Sequence, residues 1–135
     1  MYDVYYVNNT SFDMYYYVAF GDKENSVYPD ILISFNKEEL GRIKAQSYFV
    51  LATWKSIESL IDKIPSDTLS IYYFHPDTLN KYSWKEIQQG YKVLRRYDLS
   101  IEDIHSLKNE YDVPEIPYPP TEAMKNMKMY PPYEK

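Results

Sequence analysis

The sequence predicts a single α+β domain: a mainly antiparallel sheet of four to five strands, helices packed on one face, and an extended C-terminal arm rich in Pro, Tyr and Met. Three observations lead there. β-branched and aromatic residues dominate the first third, and helix-capping signals punctuate the second half. Strands followed by helices, rather than alternating with them, favour a segregated arrangement over a doubly wound sheet. A chain of 135 residues has room for one core and not for two.

Taken in order, residues 2–7 (YDVYYV) read as a strand, and Asn8-Asn9-Thr10-Ser11 as a turn. Residues 12–20 alternate: Phe12, Met14, Tyr16, Val18 and Phe20 point one way, and Asp13, Tyr15, Tyr17 and Ala19 the other. The two segments are expected to form a hairpin. A polar loop over Gly21–Ser26 and a third strand over 30–35 follow. Asn36 with Glu39 reads as a cap for a helix over 37–46, weakened by Gly41. Residues 47–52 fit a short strand or the approach to a helix. Thr53 is expected to cap a helix with Trp54, Ile57, Leu60, Ile61 and Ile64 on its inner face, stopped by Pro65. Residues 68–74 (TLSIYYF) read as a strand. Ser83 with Glu86 forms a capping-box signal for a helix to about Tyr97, with Trp84, Ile87, Tyr91 and Leu94 as its stripe. Asp98-Leu99 is read as a tight connection. Ser100 with Asp103 opens a last helix to about Tyr111, with Ile101, Ile104 and Leu107 inward.

The character changes after Val113. Six of the nine prolines fall in residues 113–135, which excludes a long helix or a central strand there. The chain therefore divides into a compact part, 1–112, and an extended arm, 113–135. Tyr118, Met124, Met127, Met129, Tyr130 and Tyr133 are the residues suited to tie the arm down, on its own domain or on a neighbour.

Charge is unevenly spread. The net value is −5, and the first forty residues hold seven carboxylates against Lys23 and Lys37, which accounts for all of it. Contact with nucleic acid needs a positive footprint, so direct nucleic-acid binding is not expected, and a basic protein partner is favoured. The chain has no cysteine, no basic leader followed by an apolar stretch, and no apolar run approaching the length needed to span a bilayer. A cytoplasmic protein with no membrane partner is the resulting expectation.

Most catalytic templates lack their parts. Gly21, Gly41 and Gly90 are isolated, so no glycine loop gathers amides around a phosphate. Two histidines, His75 and His105, show no metal-ligand spacing, and neither metal nor cofactor is expected. His75-Pro76-Asp77 is read as a turn in which Asp77 caps the residues after it, rather than as an acid–base pair. Glu38-Glu39 and Glu102-Asp103 diverge on helices and suit first-turn positions. Residues 93–104 resemble the first two helices of a repressor-type helix-turn-helix. The recognition-helix position, however, is Val113-Pro114-Glu115-Ile116-Pro117, which cannot be helical.

Seventeen tyrosines exceed what a core can use with every hydroxyl bonded, so some are expected to serve contact with a partner. Asp13, Tyr15 and Tyr17, on the second face of the alternating strand, form the first candidate surface, joined by Asp3 and Tyr5 if the hairpin register allows. The arm, through Tyr118, Met127, Tyr130 and Tyr133, forms the second. The functional expectation is a non-enzymatic protein-binding module. Its most concrete form is a small acidic inhibitor, of the toxin-immunity or phage-encoded anti-defence type, that masks a basic surface. The alternatives are a structural subunit of an assembly such as a virion, anchored by the arm, and an enzyme whose site gathers around His75 with Tyr72, Asp77 and Arg96.

Overall fold

The computed structural model describes residues 1–19, 33–64 and 67–134. In chain order these form β1 (Tyr2–Asn8), β2 (Met14–Ala19), a 3-10 turn (Lys37–Glu39), β3 (Gly41–Ile43), β4 (Ser47–Thr53), α1 (Ile57–Asp62) and β5 (Thr68–Phe74). Then come α2 (Pro76–Lys81), α3 (Trp84–Gly90), β6 (Arg95–Ser100), α4 (Ile101–Ser106), β7 (Glu115–Tyr118), a second 3-10 turn (Glu122–Met124) and β8 (Lys128–Tyr130). The strands make a small sheet in the order β4-β1-β7 and a large one in the order β3-β2-β5-β6-β8. All pairings are antiparallel except β1 with β7. The fold is α+β in one domain, as the strand-rich start and capped helices predict.

Alternation decides the layers. Val4 and Tyr6 of β1 face Met14, Ile71, Tyr73, Tyr97 and Leu99 of the large sheet, closing a first core between the sheets. Ile57, Ile61 and Ile64 with Ile104 bring α1 and α4 into that same core. The other face of the large sheet presents Tyr72 and Phe74 to Ile33, Phe35, Leu79 and Ile87, a second core under α2 and α3. Central β5 is therefore buried on both sides, and its unbroken apolar and aromatic run follows from that position.

The expected hairpin does not form: β1 belongs to the small sheet and β2 to the large one. Buried Asn8 turns the chain between them. Its Nδ2 donates to the carbonyls of Phe12 (2.9 Å) and Ile43 (2.8 Å), while its Oδ1 accepts from Thr10 N (3.0 Å) and Thr10 Oγ1 (2.6 Å). One amide thus satisfies backbone from two loops at the crossing.

Other expectations fail for local reasons. The Gly21–Ser26 loop, Pro65 and residues 30–32 of the third strand lie outside the described residues. Ile33 and Phe35 are not in a strand, because side chains of α3 take their carbonyls: Gln88 Nε2 donates to Ile33 O (3.0 Å) and Trp84 Nε1 to Phe35 O (3.2 Å). The helix over 37–46 reduces to one 3-10 turn, after which Gly41 pairs with Tyr16 in the sheet. A Cβ at Gly41 would lie 2.6 Å from Tyr16 Cζ, so the absent side chain is what lets the ring cross the strand.

Ser56, not Thr53, caps α1, which leaves Trp54 outside the helix and in solvent rather than on its inner face. The helix after Ser83 stops at Gly90, where Tyr91 takes a left-handed conformation (φ 48°). Residues 95–100 are a strand, not the end of a helix and a tight connection. Arg95, Tyr97 and Leu99 face the first core and Arg96 and Asp98 the second side. This period-two pattern was masked because its polar members are buried.

The arm folds back on its own chain. β7 joins β1 and β8 joins β6, while Tyr118, Met124 and Met129 enter the first core. Tyr97 Oη donates to Pro117 O (2.7 Å), and Arg95 Nη1 donates to the carbonyls of Pro131 and Pro132.

Candidate functional site

Two sets of residues singled out from the sequence fall on separate surfaces. Tyr15 and Tyr17 lie on the second face of the large sheet, half-buried against Phe35 and its neighbours. Tyr17 stacks on Phe35 with ring centroids 3.9 Å apart. Asp13 accepts from Ala45 N at 3.0 Å, which ties β2 to the turn before β4. Asp3 and Tyr5 are elsewhere, on the outer face of the small sheet, because β1 and β2 part company at Asn8. In the arm, Tyr118 is buried beside Tyr73 (5.3 Å between centroids), and Met127 and Tyr133 pack on the first core. Tyr130 meets Tyr91 edge to face at 5.6 Å in the second.

The outer face of the small sheet is built by β-strand parity. With Val4, Tyr6, Phe49 and Leu51 inward, Asp3, Tyr5 and Val7 must point outward beside Tyr48, Val50 and Ala52 of β4 and Glu115 and Pro117 of β7. No described element covers this face. Tyr48, 59% exposed, stacks on Tyr5 at 5.4 Å. At the end of the same strands stand Tyr2 (53% exposed), Met1 (69%) and Trp54 (82%). Five of the six large apolar side chains left in solvent among the described residues belong to β1, β4 or their immediate ends, the sixth being Tyr111. Such concentration is unlike the scattered exposure of an ordinary surface. Tyr2, Tyr48 and Trp54 escape the sequence reading. β-strand alternation over 47–53 was the signal for Tyr48, whereas Trp54 required knowing that α1 starts at Ser56.

A groove of about 370 Å³ opens beside this face, with Tyr2, Asp3, Thr53, Glu58, Lys108 and Asp112 in its lining. Its charges are mostly negative. Lys108 already pairs with Asp112 (3.3 Å), and Glu58 bonds His105 Nε2 (2.8 Å). The His105 hydrogen bond is the main reason the Glu58 carboxyl titrates below its ordinary range. Asp3 makes no ion pair among the described residues.

The chemistry-bearing candidates each have local partners. His75 is the N-cap of α2: its Nδ1 accepts from Asp77 N (3.0 Å) and its ring lies on Phe12 (4.2 Å). The cap is therefore the imidazole and not Asp77, whose carboxylate stays in solvent. Arg96 forms a buried pair with Asp98 (3.0 Å), donates to Tyr91 Oη (3.1 Å) and sits 4.8 Å from the Tyr72 ring centre. Ser70 Oγ donates to the same Asp98 Oδ1 at 2.7 Å. Burial alone would loosen the guanidinium proton, but the Tyr91 hydroxyl, Tyr72 and Asp98 outweigh it and hold Arg96 charged. Tyr72 and Arg96 thus meet each other but neither reaches His75 in any described contact. No group of three His, Asp or Glu gathers as a metal site among the described residues. No described helix is long and apolar enough to cross a membrane. In comparisons with known proteins, no family model, no curated protein and no solved structure matches the chain.

Proposed function

We propose that the chain is a non-enzymatic protein-binding module, a small acidic inhibitor that masks a basic surface on its partner, in the manner of toxin-immunity or phage-encoded anti-defence proteins. The observation that carries this reading is the outer face of the small sheet with its adjoining groove. There, Tyr48 stands exposed on the face and Tyr2 and Trp54 at its strand ends, while Asp3, which makes no ion pair among the described residues, lines the groove with Glu58 and Asp112. Rigid aromatic rings supply contact area at little entropic cost, and carboxylates among them favour Lys or Arg opposite. The charge surplus of the first forty residues supports the same polarity. An assembly subunit held by its arm has less support, since β7 and β8 are members of the chain's own sheets.

The test is affinity capture from native lysate with salt-dependent elution, comparing the natural chain with Asp3→Ala, Tyr48→Ala and Trp54→Ala. Central contact residues in an interface cost about 2 kcal/mol or more on truncation, so at least one of the aromatic variants should weaken capture about 30-fold. Capture that is equal for all four proteins removes the support.

A further inference from the structure

We infer that a second copy of this chain pairs with the free edge of β4, antiparallel and two-fold about Val50, joining two small sheets into one six-stranded sheet. The argument begins with a contrast among the four sheet edges. Exposed edges are ordinarily blunted by shortness, charge or proline. β3 and β8 are three residues long and carry Arg42 and Lys128, and β8 runs into Pro131. β7 has four residues, among them Glu115 and Pro117. β4 has seven residues, Ser47–Thr53, with no charge, proline or glycine, in unbroken register with β1. Among the described residues nothing pairs with its other side.

The residue order selects the occupant. A two-fold pairing about Val50 sets Ser47 against Thr53, Tyr48 against Ala52 and Phe49 against Leu51. A large side chain meets a smaller one at each ring, the two hydroxyl residues meet at the ends, and no charge from either copy enters the seam. On the inner side the register has a second consequence. An open groove of about 260 Å³ runs between the edges of the two sheets, lined by Tyr16, Leu40, Gly41, Phe49 and Leu51, with Glu39 at its rim. The incoming Phe49 and Leu51 lie over this groove. The seam spans about 24 Å at roughly 3.4 Å per residue, which places the interface in the small, weak class. The paired edge and the outer face are different surfaces of the small sheet, so this inference does not rest on the inhibitor reading.

The absence of native cysteine allows a register-specific test. Directly opposed residues in an antiparallel pair have Cα atoms about 4.5–5.5 Å apart, within disulfide reach. Under mild oxidation Val50→Cys should form a covalent dimer about 10-fold faster than a remote exposed control, Ser34→Cys. Ala52→Cys alone should not exceed the control, whereas an equal mixture of Tyr48→Cys and Ala52→Cys should yield the mixed dimer. Sedimentation of the natural chain should show mass rising toward twice the monomer as concentration approaches roughly 500 µM, and Val50→Pro should abolish the rise. A natural chain that stays monomeric over that range, or a Val50→Cys variant that links no faster than Ser34→Cys, overturns the inference.

Discussion

Arg96 and Asp98 show how single residues in this chain carry more than their labels suggest. The pair is fully enclosed and shares Ser70 and Tyr91 as partners, yet Asp98 Oδ2 finds no hydrogen bond among the described residues. Removing one charge strands the other in a low-dielectric setting. Asp98→Ala or Arg96→Met should therefore cost about 3–5 kcal/mol in denaturant unfolding, while the double replacement Arg96→Met/Asp98→Leu should recover a large part of that loss. Equal costs that simply add would contradict the account. The same two residues explain a gap in what the sequence discloses. A strand reading RRYDLS alternates correctly, but alternation is recognised by one polar and one apolar face, and here the charged members point into a core. Asn8 is a second case. Its turn propensity was legible, and its five-way role between two sheets depends on partners at Phe12, Ile43 and Lys44 that only the fold brings near.

At the scale of elements, capping chemistry transfers best from sequence to structure. Ser83 with Glu86 and Ser100 with Asp103 both form reciprocal boxes, with Glu86 N donating to Ser83 Oγ at 3.1 Å and Asp103 N to Ser100 Oγ at 3.1 Å. Such signals are local and complete within four residues. Helix ends are not: Gly90 alone did not announce that Tyr91 would turn left-handed and free the next residues for β6. Strand existence was legible at β1, β2 and β5, whereas strand partners were not, since one buried amide at the β1–β2 crossing separated neighbours into two sheets. Of the candidate surface, Asp3 and Tyr5 were readable by parity once β1 was assigned. Tyr48 and Trp54 depended on where β4 ends. Ser83→Ala and Ser100→Ala should each lower stability by about 0.5–2 kcal/mol in thermal or denaturant unfolding. Ser100→Ala should show the larger effect, because α4 feeds Ile104 into the first core while the Ser83 cap is exposed.

Across the whole molecule, tyrosine is divided between two jobs. Tyr6, Tyr73 and Tyr97 sit inside the first core. Burial is the main force that pushes each phenol well above its ordinary pKa of 10, aided at Tyr6 by Tyr16 and at Tyr73 by Tyr97. A phenol with a raised pKa in the fold favours the native state as long as it is neutral. That stability is intact below pH 10 and drains as pH climbs above it, where the unfolded chain ionises first. A tyrosinate absorbance titration should accordingly leave Tyr6, Tyr73 and Tyr97 neutral as pH first rises past 10. A late step should follow that coincides with loss of the far-ultraviolet circular dichroism signal. A single smooth titration near pH 10 with the fold intact would contradict this placement of the rings.

Tyr5 and Tyr48, with Trp54 at the strand end, mark the outer face of the small sheet, and the claim that a partner docks there admits a direct measurement. Backbone hydrogen exchange should be compared for the chain alone and for the complex recovered by capture. Docking at this face predicts new protection in residues 1–7 and 47–58 and little change over 76–91, the helices beneath the large sheet. Protection gathered over α2 and α3 instead, with β1 and β4 exchanging as in the free chain, would place the partner on the opposite side of the molecule and end the account.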